Sequence, residues 1–220
     1  RRDFTINAIG YDFFKEEFID PFDGIEDLRT KTIKHINDKT FIEDSLRVYR
    51  AVAFASRFNF KIEEKTKELC KQIVLKNELK YLPKERVYEE FKKLFLKSSK
   101  PSIGFELMRE IGILKYFSEL QALINCIQEP EYHPEGDVWI HTMMALDEMA
   151  RILKEENIEN DYKELYLFYS ILCHDFGKPF CTEEINGKIT SHKHESLGIE
   201  PTISFLSKIT NEKKFIEIVC

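Results

Sequence analysis

The sequence predicts a mainly α fold, in which a short β-hairpin is followed by two helical regions. Three observations predict it. Aromatic and β-branched residues cluster in residues 4–36, apolar residues recur at helical spacing over most of the remainder, and the stretch 128–136 carries Pro130, Pro134 and Gly136 between two helical patterns.

The opening strands come first. TINAIGYDFF and FIDPF flank the charged turn Lys15-Glu16-Glu17 and read as a hairpin. A lone hairpin is marginally stable, and no later segment reads as a partner strand, so the rest of the sheet is expected upstream of Arg1. The chain begins Arg1-Arg2-Asp3 without Met, and no apolar stretch with a cleavage site follows, which reads as an internal segment and not a secretory leader.

From Phe41 to about Cys126 the pattern is helical, as in Leu69, Ile73 and Val74 or Val87, Phe91, Leu94 and Phe95, with Pro83 and Pro101 as punctuation. Residues 128–136 then predict a break between packed units. Beyond it the spacing predicts helices near 137–156, 163–175, 194–208 and 212–220, with the polar turn Asn186-Gly187 between the second and third.

Composition narrows the partners. The chain has 220 residues, 43% hydrophobic and 33% charged, enough for one large or two modest cores. No apolar run approaches the roughly 18–20 residues a membrane helix needs, which excludes a membrane span. Cys70, Cys126, Cys173, Cys181 and Cys220 form no CxxC pair and read as free thiols in a reducing cytoplasm.

Net charge is -6, but residues 61–100 carry 12 Lys and Arg against 7 Glu, while residues 131–220 carry 9 against 17 acidic residues. The basic stretch suits either a phosphate-backbone contact or a solvated lysine-rich helix face.

Two constellations carry chemistry. Glu43-Asp44-Ser45-Leu46-Arg47 reads as a helix opening, and the spacing of three places Asp44 and Arg47 as neighbours across one turn. Cytosine and adenine both offer an exocyclic amino donor beside an unprotonated ring nitrogen, so a carboxylate and a guanidinium can read either edge and leave uracil and guanine mismatched. The same string also allows a Glu43–Arg47 pair at i, i+4 with Asp44 as a helix N-terminal charge. In the second constellation, His141 and His174-Asp175 follow apolar helical stretches, and imidazoles with a carboxylate suit a borderline divalent ion. His192 and His194 lie beyond, His194 the better further ligand; His35 and His133 read as structural or surface residues.

In order, RRDFTINAI, DPFDGIEDL, EDSLRVYRAVAFASRF and PKERVYEEFKKL resemble the class II tRNA nucleotidyltransferase (CCA-adding enzyme) and bacterial poly(A) polymerase family. The resemblance divides the chain into the C-terminal part of a nucleotidyltransferase head, residues 1–38, and a helical nucleotide-reading neck and RNA-binding region, residues 39–127. It implies that Arg1, Arg2 and Asp3, with Asn7 nearby, hold ribose and triphosphate. Asp44 and Arg47 become the base-reading pair, and Arg50 a phosphate or structural partner. Glu85, Arg86 and Glu90 match an ERxxxE element that braces the reading helix, leaving Lys92, Lys93 and Lys97 for tRNA phosphates. The Asp20-Pro21-Phe22-Asp23-Gly24 turn resembles the family's flexible link, with Asp23 where most relatives carry Gly.

The string DVWIHTMMALDEMA, then LFYSILCHDFGKP and SHKHESLG, resembles the HD domain appended to one group of these enzymes. It implies an HD domain over residues 134–220, truncated before a last ligand, with His141, His174, Asp175 and His194 as metal ligands. The metal's identity stays open, and the implied chemistry is 2′,3′-cyclic phosphodiesterase and phosphatase action.

For the parent protein the resemblance implies addition of CMP and AMP from CTP and ATP to tRNA 3′ ends, in the cytoplasm, with no DNA partner. Mg2+ would be held by carboxylates that the family carries before RRDFTINAI, so this segment is expected to bind nucleotide and RNA without transfer activity. A poly(A) polymerase of the same family, or an HD phosphohydrolase with an RNA-binding adapter, are the alternatives.

Overall fold

The helical spacing of the sequence is realised as a mainly α structure, in a computed structural model that describes residues 2–156 and 160–220. Strands β1 (Gly10–Asp12) and β2 (Glu17–Ile19) form the antiparallel hairpin, Gly10 opposite Ile19 and Asp12 opposite Glu17. Its turn is closed by Asp12 Oδ1, which accepts from the backbone N of Phe14 at 2.9 Å and of Lys15 at 3.2 Å. The hairpin is shorter than its apolar run. Thr5–Asn7 winds instead into a 3-10 turn, because Asn7 Oδ1 accepts from the Phe4 amide at 3.3 Å.

Helix α1 (Gly24–Arg29) follows a turn held by Asp20, whose carboxylate accepts from the amides of Gly24 at 2.8 Å and Ile25 at 2.9 Å. Asp23 sits at φ 59°, a left-handed conformation that Asp tolerates at a cost glycine does not bear. Gly24 itself is required: a Cβ there would stand 2.4 Å from the Thr5 carbonyl oxygen.

Strand β3 (Thr32–Ile33) pairs in parallel with β4 (Lys61–Ile62), Ile33 opposite Ile62. This pair is a second small sheet, separate from the β1–β2 hairpin, which gains no partner from it. Two residues are too few to show a period of two, which is why it went unread.

Between them, α2 (Asp38–Ile42) is capped by Asn37, and α3 (Arg47–Phe58) buries Val48, Ala51, Val52 and Ala55. The remaining helices of this half are α4 (Glu64–Leu75), α5 (Lys84–Lys97), α6 (Ser102–Ile111) and α7 (Ser118–Ala122). α3 packs on α5 and α6, and small residues set the approach: a Cβ at Gly104 would meet Leu94 Cδ1 at 2.4 Å.

Beyond residues 128–136 come α8 (Val138–Glu155), capped by Asp137, and α9 (Asp161–Cys173), capped by Asn160. Asn186-Gly187, both at positive φ, turn a small antiparallel hairpin of β5 (Glu183–Ile185) and β6 (Lys188–Thr190). The helix expected over 194–208 is two, α10 (His194–Leu197) and α11 (Ile199–Ile209), before α12 (Lys213–Val219). Pro201 has no N–H to donate to Leu197, and the Gly177 backbone passes so close that a Cβ there would lie 1.9 Å from the His194 carbonyl oxygen.

The turn-rich stretch 128–136 does not interrupt the core. Phe95 on α5 stacks on Phe168 of α9 with ring centroids 5.0 Å apart, and Phe117 meets Phe205 of α11 edge-on at 5.6 Å. The Val138 amide donates to the Cys126 carbonyl at 2.9 Å, which closes the turn directly onto the preceding helices. Proline and glycine here mark a change of chain direction, while the aromatic faces on either side meet across it. Among the described residues no helix is long and apolar enough to cross a membrane.

Candidate nucleotide and metal sites

The N-terminus of α3 faces the opening turn of the chain and the first turn of α5. Arg2, Asp3, Asn7, Asp44, Leu46, Arg47, Arg50 and Arg86 line one cleft of about 220 Å³. Arg1 lies outside the described residues. Asp3 is 8% exposed; its Oδ1 accepts from Asn7 Nδ2 at 2.6 Å and its Oδ2 from Arg50 Nε. Burial pushes the Asp3 carboxyl up, but the hydrogen bonds from Arg50 and Asn7 outweigh it and hold the group below the usual carboxylate range.

Arg50 Nη1 also stands 3.7 Å from Glu90 Oε1, and Lys93 Nζ donates to the same oxygen at 2.8 Å. Through these contacts Arg50 ties the opening turn to α3 and α5.

Asp44 precedes the helix instead of opening it. α3 starts at Arg47, whose amide donates to the Asp44 carbonyl at 3.0 Å, and Asp44 Oδ1 accepts from the Leu46 amide at 3.2 Å. These local bonds satisfy the helix start from a turn, which a spacing argument cannot separate from a helix. Asp44 Oδ2 accepts from Arg86 Nη2 at 2.8 Å. Burial raises the Asp44 carboxyl, and the Arg86 and Leu46 hydrogen bonds more than reverse this. Arg47 Nη1 is buried with no hydrogen-bond partner, and among the described residues the Glu43–Arg47 pair is not formed.

Arg86 lines the cleft while it braces Asp44, and Glu90 braces Arg50. Glu85 joins neither: its Oε1 accepts from Asn211 Nδ2 at 3.2 Å. Lys92 Nζ lies 3.4 Å from Asp161 Oδ2 and Lys93 is held by Glu90, so both of these lysines already face a carboxylate.

The second cluster gathers where α8 begins and α9 ends. One ligand atom each from His141, His174 and Asp175 lie within 4.8 Å of one another. Asp175 is 1% exposed, with His174 Nε2 at 3.2 Å from Oδ2 and His194 Nε2 at 3.7 Å from Oδ1. The buried Lys178 puts Nζ 2.8 Å from Asp175 Oδ2 and 2.7 Å from Gln128 Oε1. Burial raises the Asp175 carboxyl, but His174 and Lys178 overcome it and hold it down at about 2. Burial likewise pushes the His174 imidazole down, and the Asp175 carboxylate beside it raises it further than that. Imidazole nitrogens with a carboxylate fit a divalent ion.

Of two neighbours of this cluster, sequence reasoning passed over Glu135 and read His133 as a structural or surface residue. Glu135 Oε1 lies 2.7 Å from His141 Nδ1 and 3.0 Å from His133 Nδ1, and these three side chains also bring ligand atoms within 4.8 Å. The Glu135 carboxyl is held down at about 2 by its own backbone amide and by the His133 and His141 rings. Their signal was local, since His133, Glu135 and His141 fall within nine residues, but Pro134 suggested a bare turn. His192 is exposed. His35 is buried between Thr66 Oγ1 and Asp38 Oδ1, each at 2.7 Å, in keeping with a structural role.

Comparisons with known proteins cover the chain in part or in full. Residues 1–34 match the family described as the poly A polymerase head domain, and residues 59–124 the family described as the probable RNA and SrmB-binding site of polymerase A. The multifunctional CCA protein of Mannheimia succiniciproducens is 39% identical over 228 residues, covering 100% of this chain and 52% of that protein. That of Actinobacillus pleuropneumoniae serotype 5b is 37% identical over 227 residues, covering 100% and 53%. The chain thus spans about half the length of the curated relatives it matches.

Among solved structures, a tRNA-processing enzyme (apo form 2) superposes with a TM-score of 0.60 at 26% identity, covering 99% of this chain and 53% of that one. A tRNA-processing enzyme with CTP superposes at 0.52 and 30% identity, covering 81% and 48%.

Proposed function

Since the chain belongs to the class II tRNA nucleotidyltransferase family of CCA-adding enzymes and bacterial poly(A) polymerases, we propose that its cleft reads the base of CTP and ATP for addition of C and A to tRNA 3′ ends. One observation carries this reading: Arg47, whose Nη1 is buried without a partner, lines the same cleft as Asp44. A buried donor without a partner costs about 1–3 kcal/mol, a cost recovered when a ring nitrogen accepts from it.

The roles follow from the contacts. Asp44 keeps lone pairs to accept the exocyclic amino group of cytosine or adenine while Arg86 fixes its orientation. Arg47 donates to the neighbouring ring nitrogen, and uracil or guanine would set donor against donor. Arg2 supplies charge towards the triphosphate, with Asp3 and Asn7 on the ribose side and Arg50 and Glu90 fixing Asp3 in place.

Family membership implies a divalent ion, expected as Mg2+, that activates the attacking hydroxyl and steadies the triphosphate. Asp3 and Asp44 do not fit as its holders, because each already carries a guanidinium, of Arg50 and of Arg86, whose positive charge disfavours a cation there, and no step here is routed through such an ion.

A second activity is favoured by the His141, His174 and Asp175 cluster, which supports an HD-type metal-dependent phosphohydrolase module in residues 134–220, beside a head portion in 1–38 and a neck in 39–127. The ion would supply an activated water for phosphoester hydrolysis, with His194 next to Asp175 as a further donor. Such a protein would work in the cytoplasm on tRNA, without DNA or membrane as partner.

The test is incubation of the full-length protein with labelled CTP, ATP and tRNA lacking CCA. Addition of C and A, with selectivity lost in Asp44→Ala, is expected. Runs of A alone would point to a poly(A) polymerase. No addition at all, with metal-dependent hydrolysis of 2′,3′-cyclic AMP, would overturn the reading in favour of a phosphohydrolase.

A further inference from the structure

The carboxylate of Glu135 lies outside the His141, His174 and Asp175 cluster and hydrogen-bonds to one of its candidate ligands. Its Oε1 sits 2.7 Å from His141 Nδ1 and 3.0 Å from His133 Nδ1, with the Glu135 side chain 16% exposed. Two chemistries produce such a triangle: a cation bound by all three groups, or a carboxylate accepting an N–H from both rings.

The distances separate them. A tetrahedral ion at about 2.0–2.1 Å from each ligand holds those ligands roughly 3.3–3.4 Å apart. The observed 2.7 Å and 3.0 Å are hydrogen-bond lengths. In this geometry Glu135 is an acceptor to both rings.

A neutral imidazole has one N–H, so donating Nδ1–H to Glu135 leaves the lone pair of His141 on Nε2. The other two histidines are turned the same way. His174 Nδ1 lies 2.7 Å from the Ile171 carbonyl oxygen, and His194 Nδ1 lies 2.8 Å from the Ser191 carbonyl oxygen. All three rings thus spend Nδ1 on an oxygen acceptor, which leaves the lone pair on Nε2, the atom that faces Asp175 in His174 and His194. They differ in the hydrogen-bonded acceptor: His174 and His194 have a neutral carbonyl, with Glu195 Oε2 no nearer than 3.7 Å to His194 Nδ1, whereas His141 has an anion at 2.7 Å, which makes the ring it holds a stronger electron donor.

We propose that Glu135 is a positioning residue that fixes His141 as the Nδ1–H tautomer and makes its Nε2 the strongest imidazole donor to a divalent cation held with His174 and Asp175. The proposal rests on the metal reading above, and its test keeps the two apart.

Co2+ is titrated calorimetrically into the full chain, the visible spectrum of the bound ion is recorded, and the histidine tautomers are read by 15N NMR without metal. Glu135→Ala should weaken Co2+ binding about 10–100-fold at unchanged stoichiometry, with a shifted spectrum. It should also deplete Nδ1–H at His141 alone. Glu135→Gln, which keeps an acceptor but no charge, should fall between Glu135→Ala and the unaltered chain.

Affinity within twofold of the unaltered chain in Glu135→Ala would overturn the proposal, as would equal losses in the two variants. So would a drop in stoichiometry, which would make Glu135 a ligand of its own ion. His174→Ala is the control for the premise: if it binds Co2+ as the unaltered chain does, the metal reading fails, while the 15N tautomer of His141 still reports on Glu135.

Discussion

Asp44 is held by Arg86, Oδ2 to Nη2 at 2.8 Å, across 42 residues of sequence. The contact links the turn before α3 to the first turn of α5, so the carboxylate that would read a base is aimed by a residue from another helix. A pair this exposed adds at most about 1 kcal/mol to stability. Its value lies in orientation.

Arg86→Ala should therefore leave thermal unfolding nearly unchanged but lower the preference for CTP and ATP over UTP and GTP by about tenfold, corresponding to about 1.4 kcal/mol of lost discrimination. Incorporation assays with the four nucleotides on the full-length protein check it. Undiminished selectivity would show that Asp44 needs no aiming.

Asp3→Ala should act in the opposite way, through stability. It strips a buried partner from Arg50 and leaves that guanidinium to Glu90 at 3.7 Å. Breaking a buried pair costs about 3–5 kcal/mol, and the 29% exposure of Arg50 puts this one near the lower end. Urea denaturation followed by circular dichroism reads the loss.

Gly177→Ala should damage the metal cluster from behind. The new Cβ would collide with the His194 carbonyl oxygen at 1.9 Å and the Gly198 amide at 2.7 Å, both backbone atoms that cannot rotate away. Overpacking of this kind costs about 1–3 kcal/mol, and here it pushes α10 and His194 off Asp175. A lower melting temperature together with weaker Co2+ binding is expected; an unchanged melting temperature would mean that the turn yields freely.

Glu119 gives a pH signature. Burial raises its carboxyl, but Lys208 Nζ at 2.7 Å and Ser204 Oγ at 2.5 Å, with its own amide, bring it below the ordinary 4.5. A group depressed in the folded state stabilises the fold above its unfolded value and loses that contribution as pH falls through the folded value. The stability gap between the unaltered chain and Glu119→Gln should thus be full near pH 7 and close below about pH 4. Urea melts across that range test it, and a gap independent of pH would contradict it.

Much of this was legible in the sequence because it rests on periodic burial. Val87, Phe91, Leu94 and Phe95 announce α5, and Asn186-Gly187 announces its turn. What was illegible rests on contacts between distant residues. Nothing in the spacing of Asp44 and Arg47 reveals that Arg86 takes the carboxylate, or that Asp44 lies in a turn closed by its own side chain. β4 is too short to show alternation, and Glu135 reaches His141 only because the turn at Pro134 folds back on α8. The helices could be read from the string, whereas partner choice needed three dimensions.

The Phe95–Phe168 stack has a practical corollary. A protease that nicks the turn at 128–136 would cut the polypeptide without parting it, since the rings interlocked across the cut would keep both pieces in one particle. They should co-elute from a sizing column and separate only in denaturant. Expressed singly, each piece would carry an unsheltered aromatic face and tend to aggregate, so anyone wishing to study either half should first replace that seam with polar side chains.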